Sequence, residues 1–157
     1  MATRSPKYAE GTEVPIDRSK AEIERVLAKY GASEFLYGVR AGHALVAFVA
    51  HGKQVRFILP MPNPDDFKKT PTGRSRKGGA LDEAYEREMR RRWRALALVI
   101  KAKLEAVSTE IVSFEEEFLP YFVLPDGQTV GDKIIPSLEA AYKSGKLPKL
   151  LPDLRRD

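Results

Sequence analysis

The sequence predicts an α+β protein: a three-stranded antiparallel meander flanked by an N-terminal helix and a long central helix, with a C-terminal helical subdomain. Three observations lead to this class. Apolar residues recur every three or four positions over residues 19–31 and again over 81–111. Between these stretches stand three β-rich runs joined by Ala41-Gly42 and His51-Gly52, short glycine-bearing links of the kind an antiparallel meander needs. At 157 residues, with 43% hydrophobic and 31% charged content, the chain suits one soluble domain with its own core. Its parts are a helix plus meander (17–67), a basic loop (68–80), a long helix (81–111) and a C-terminal helical extension (112–157).

The first helix is marked by Ile23, Val26, Leu27 and Tyr30 on one face and by Gly31 as terminator, and Ser19 with Glu22 reads as a capping box. Strands follow at Glu34 to Arg40, His43 to Ala50 and Lys53 to Leu59. The middle one is apolar on both alternating faces, which predicts that both are covered or nearly so. The third alternates Val55, Phe57 and Leu59 against Gln54 and Arg56, the pattern of a half-solvated strand, and Pro60 to Pro64 ends it. Residues 67–80 carry a proline, three glycines, five cations and no acid, and read as a mobile loop.

The long helix carries a stripe of Leu81, Tyr85, Met89, Trp93, Leu96, Ile100, Leu104, Val107 and Ile111. Arg90, Arg91 and Arg94 fall on the other side at 100° per residue. Beyond Arg94, Ala97, Leu98 and Val99 make the helix apolar nearly all round, which predicts packing on two sides. Further on, Ser113/Glu116 and Thr129/Asp132 read as caps and Pro125-Asp126-Gly127 as a turn closing a short extended segment. Pro136 predicts a kink or restart, Gly145 ends that helix, and the tail to Asp157 reads as an irregular apolar strap.

Several function classes find no support. There is no cysteine, so disulfides, thiolate zinc sites and cysteine nucleophiles are unavailable, which suits a reducing cytoplasm. The N-terminus lacks the apolar core of a signal peptide, and the longest apolar run, Ala95 to Ile100, is too short to span a bilayer, so no membrane is expected. His43 and His51 bracket one strand roughly 26 Å apart and cannot share a metal. Pro64 to Lys68 holds the elements of a nuclease site in one loop rather than on two strands, so its acids are not brought together around Mg²⁺. No Gly-x-Ser-x-Gly elbow and no phosphate-loop spacing occurs. The expectation is a protein without catalytic residues, cofactor or metal, with a metal-dependent nuclease as the remote alternative.

Charge supplies the positive signal. Between Lys68 and Arg94 there are ten Lys/Arg and four Asp/Glu, a balance of +6 against +5 for the whole chain, so all other residues sum to −1. Such a local basic patch is the footprint of a polyanion partner. Lys68, Lys69, Arg74, Arg76 and Lys77 in the loop, with Arg90, Arg91 and Arg94 on the helix, are the predicted nucleic-acid contacts, made to phosphate rather than to bases. The partner would be single-stranded or duplex DNA, or RNA. A host or phage protein with an acidic surface is the alternative partner, and a homo-oligomer stays open. Phe35, Tyr37, Phe57 and Trp93 could stack bases, although their strand and stripe positions suit the core.

Residues 55–62 ("VRFILPMP"), 90–107 ("RRRWRALALVIKAKLEAV"), 114–119 ("FEEEFL"), 124–132 ("LPDGQTVGD") and 140–152 ("AAYKSGKLPKLLP") resemble a family of small proteins encoded by bacteriophages and prophages. The resemblance spans nearly the whole chain and implies a mobile-element setting in a bacterial cytoplasm. It carries over no catalytic residue. Three antiparallel strands followed by a long helix are also similar in order to the core of single-strand annealing proteins of the Rad52 and Redβ type, a likeness of topology alone.

Overall fold

The computed structural model describes residues 13–40 and 42–146, so the strap expected of residues 147–157 lies outside the described residues. The element order is α1 (Ile16–Lys29), β1 (Glu34–Arg40), β2 (His43–Ala50), β3 (Lys53–Pro60), a 3-10 turn (Pro64–Phe67), α2 (Gly79–Ser108), α3 (Phe114–Phe118), a second 3-10 turn (Leu119–Tyr121) and α4 (Val130–Ser144). The three strands form one antiparallel sheet in the order β1-β2-β3. The α+β architecture read from the sequence is the one observed.

One face of the sheet carries the core. Val46 and Phe48 of β2 stand beside Val55 and Phe57 of β3, and this layer is closed by Ile23 and Leu27 of α1 and by Met89, Trp93, Leu96, Ile100 and Leu104 of α2. A third wall comes from the C-terminal segment. Phe118 meets Phe48 and Phe57 edge-on at ring separations of 6.0 and 6.3 Å, a favourable geometry for aromatic rings. Phe114 packs at 4.8 Å from Phe118. Val123 donates its N–H to the Gln54 carbonyl at 2.9 Å, laying the extended segment against the outer edge of β3.

Several local expectations need correction. Helix α1 starts at Ile16 behind Pro15, with no side-chain cap, so the Ser19/Glu22 capping box is not formed. Ser19 is instead fully buried in the first turns, and its hydroxyl has no partner among the described residues. Helix α2 ends at Ser108, and Glu110 takes a positive φ of 58°, so Ile111 leaves the stripe and is exposed. Its second half buries Leu96, Ala97, Ile100 and Leu104 and reaches the end of α1 through Tyr30 and Glu105 and α3 through Lys103 and Glu117, while Val99 is exposed. The two faces of the middle strand are not covered alike: Val46 and Phe48 lie in the core, while on the other face Ala47 is buried, Leu45 and Val49 are half-buried, and the flanking Leu36 and Ile58 are 58% and 52% exposed. By contrast, both C-terminal capping boxes form, at Ser113/Glu116 and Thr129/Asp132, and Gly145 ends α4 in the left-handed region. Helix α4 runs through Pro136 as a single element.

Candidate nucleic-acid interface

The basic segment is built rather than loose. Asn63 caps the 3-10 turn by accepting from the Asp65 N–H at 3.0 Å, and the chain then reverses in a tight hairpin. Lys69 and Ser75 form a bridge, Arg76 donates its N–H to the Lys68 carbonyl at 2.7 Å, and Thr70 donates to Arg74 at 2.7 Å. Gly73 adopts φ 84° at the tip, where a side chain would be strained. The Thr70 hydroxyl accepts from the Arg74 N–H at 3.0 Å. The Arg76 guanidinium folds inward and donates to the carbonyls of Lys69 and Phe67 at 3.0 and 3.3 Å. Phe67 in turn meets Tyr85 of α2 edge-on at 6.1 Å, pinning the hairpin to the helix. The mobile loop expected from composition is thus a hydrogen-bonded knuckle.

Among the predicted contacts, the structure separates two groups. Lys69, Arg74 and Lys77 are exposed and have no acidic partner among the described residues. Lys68 joins them, tied only to Asp65 at 2.6 Å across a largely exposed pair that solvent screens. Arg76 is half-buried and serves as the strut of the hairpin.

The helix arginines behave differently. Arg90 faces Glu86 at 3.9 Å. Arg91 makes a two-pronged contact with Glu88 at 2.6 and 2.8 Å, and Arg92 shares that carboxylate at 3.0 Å while also donating to the Pro60 carbonyl. Arg94 donates to Glu22, an ion pair across the seam between α1 and α2 with side chains 24% and 18% exposed. Lys20 adds a cation–π contact 4.9 Å from the Trp93 ring at the same seam. Arg90, Arg91 and Arg94, expected to contact phosphate, each face an acid, Arg90 and Arg91 within α2 and Arg94 across the seam to α1.

The aromatic rings that could have stacked bases are turned to the core side. Trp93 is buried, Tyr37 stands 6.0 Å from it edge-on, and the Tyr37 hydroxyl donates to the Lys20 carbonyl at 2.6 Å. Burial first, and the nearby Glu24 second, raise the Tyr37 hydroxyl pKa above its ordinary value, so it stays a donor. Phe57 stacks on Tyr121 at 4.3 Å. His43 and His51 lie at opposite ends of β2, and His51 sits in the turn with φ 50° against Phe114.

The acids serve local structure. The Ser113 N–H and hydroxyl hold the Glu116 carboxyl below the usual range, and those of Thr129, assisted by Arg56, do the same for Asp132. Lys53 lowers Glu115, and Lys133 lowers Asp126 across 2.5 Å. Among the described residues no three His, Asp or Glu side chains gather as a metal site, and no helix is long and apolar enough to cross a membrane.

On the open sheet face, of which the half-solvated pattern of β3 marked one side, Gly38, Arg40, His43, Leu45, Arg56 and Ile58 line a shallow groove. Its signal was available in the even-numbered apolar positions of β1 and β3. No protein-family model, no curated protein and no solved structure matches the chain.

Proposed function

We propose that this is a non-catalytic nucleic-acid-binding accessory protein that grips the phosphate backbone through the hairpin of residues 68–77. The observation that carries the reading is the set of unpartnered cations Lys69, Arg74 and Lys77 on a knuckle held rigid by its own hydrogen bonds. Pre-ordering lowers the entropic cost of presenting long basic side chains together. The rings of Phe35, Tyr37, Phe57 and Trp93 pack in or against the core, so binding is electrostatic and sequence-independent, and duplex DNA suits it better than single strands. The resemblance to phage and prophage proteins supports a role in DNA replication, recombination or repair of a mobile element within a bacterial cytoplasm.

Fluorescence anisotropy with duplex DNA, single-stranded DNA and RNA across a salt series tests this. Three free cations predict a log–log slope of about −3 on duplex DNA, at roughly 0.9 per phosphate. Lack of binding to all three polymers at low salt rejects the reading and hands the knuckle to an acidic protein surface of a host or phage factor.

A further inference from the structure

The free edge of the sheet has the geometry of a two-fold interface. Met61 donates its N–H to the Gly42 carbonyl at 2.9 Å, so the backbone groups of even-numbered β2 residues face β3. The odd-numbered residues of β2 therefore face β1, where their register partners are Glu34, Leu36, Gly38 and Arg40. It follows that the N–H and C=O groups of Phe35, Tyr37 and Val39 point away from the sheet, and none has a backbone partner among the described residues. Across its seven residues β1 has no proline, no lysine and no bulge, and its two charges, Glu34 and Arg40, stand only at its ends.

We propose that β1 pairs antiparallel with β1 of a second copy of this chain, centred on Tyr37, joining two sheets across a two-fold axis. This register alone engages all three outward-facing residues, because Phe35 meets Val39 of the other copy and Tyr37 meets itself. Each such pair exchanges two bonds, about six in all. The remaining positions become the close, non-hydrogen-bonded pairs, and there Glu34 of each copy stands opposite Arg40 of the other. Both residues are exposed, and neither has an ion-pair partner among the described residues. Leu36, now exposed on the open face, falls opposite Gly38, whose missing side chain leaves room for it. The charge pattern is self-complementary only in this register: a shift of one residue along either copy separates the opposite charges. Val123 occupies the outer edge of β3 at Gln54 and the Arg92 guanidinium takes the Pro60 carbonyl, so β1 is the longer open edge, and pairing of β1 with β1 closes at two copies.

Sedimentation velocity on the full chain over a concentration series tests the pairing. The wild type is expected to pass from monomer to dimer. Val39→Pro removes an outward N–H at a residue 78% exposed, so it should abolish the dimer and keep the far-UV circular dichroism and melting of the monomer. Arg40→Glu and Glu34→Arg should each raise the dimer Kd by about tenfold or more through like-charge pairs. Mixing these two variants should give a heterodimer, and combining both changes in one chain should restore self-association. A chain that stays monomeric at every concentration, a dimer indifferent to the proline and charge variants, or growth beyond two copies overturns the proposal.

Discussion

Arg94 offers the sharpest separation of a bracing role from a binding one. The change to make is Arg94→Met, which keeps an apolar stem over the seam and deletes the guanidinium that Glu22 accepts from. Fully exposed ion pairs contribute roughly 0.2–1 kcal/mol, whereas breaking a buried one costs about 3–5 kcal/mol. With side chains 24% and 18% exposed, the pair falls between these limits, and solvent screening brings the expected loss to about 2 kcal/mol. For a chain of this length that corresponds to a Tm lower by about 4–8 °C. Thermal and urea unfolding of Arg94→Met, Glu22→Gln and the double variant would close a cycle, with an expected coupling of about 1–2 kcal/mol. The same proteins should bind duplex DNA with an unchanged salt slope. A Tm within about 1 °C of wild type, together with a slope reduced by about one unit, would show that Arg94 holds a phosphate and not Glu22.

Further outcomes follow from the same structure. Ser19→Ala should be neutral or stabilise by up to about 1 kcal/mol in urea unfolding, because it removes a buried hydroxyl that lacks a partner within a helix; a helix cap at this position would instead lose about 1 kcal/mol. Arg76→Ala should speed amide exchange across residues 68–76 with little change in global Tm, since the guanidinium braces only the hairpin carbonyls. Thr129→Ala should cost about 1 kcal/mol through loss of the cap on α4, read by chemical denaturation. The carboxyls of Glu116 and Asp132 have folded pKa values below their unfolded ones, so the stability they add is fully present above about pH 4–5 and is lost as pH falls through the folded values. Tm should therefore decline on acidification through that range and decline less in the Ser113→Ala/Thr129→Ala protein; equal declines would assign the acid sensitivity to other groups.

Much of the fold was legible in local pattern. The strands announced themselves through β-branched runs and glycine links, and the two C-terminal caps through a hydroxyl residue followed by an acid three positions on. The same pattern misled at Ser19, because Ile16 extends the apolar face of α1 by a turn and moves the helix start to Pro15. Pairings within α2 were also readable, since Glu86–Arg90, Glu83–Arg87 and Glu88–Arg92 lie four apart. The Arg94–Glu22 pair was not, because it depends on how two helices cross. Likewise, periodicity marked β2 as apolar on both faces but could not say what covers each one. In the candidate interface, composition located the basic segment, while its order came from backbone bonds and from Arg76, which composition cannot distinguish from a free cation.

The division between tied helix arginines and free hairpin cations is tested most directly by the salt dependence of duplex binding for a Lys69→Glu/Arg74→Glu/Lys77→Glu protein. The slope should collapse from about −3 toward zero while the Tm stays within about 2 °C, because these side chains stabilise nothing within the fold. An undiminished slope in that protein, with binding lost instead on replacing Arg90 and Arg91, would contradict it.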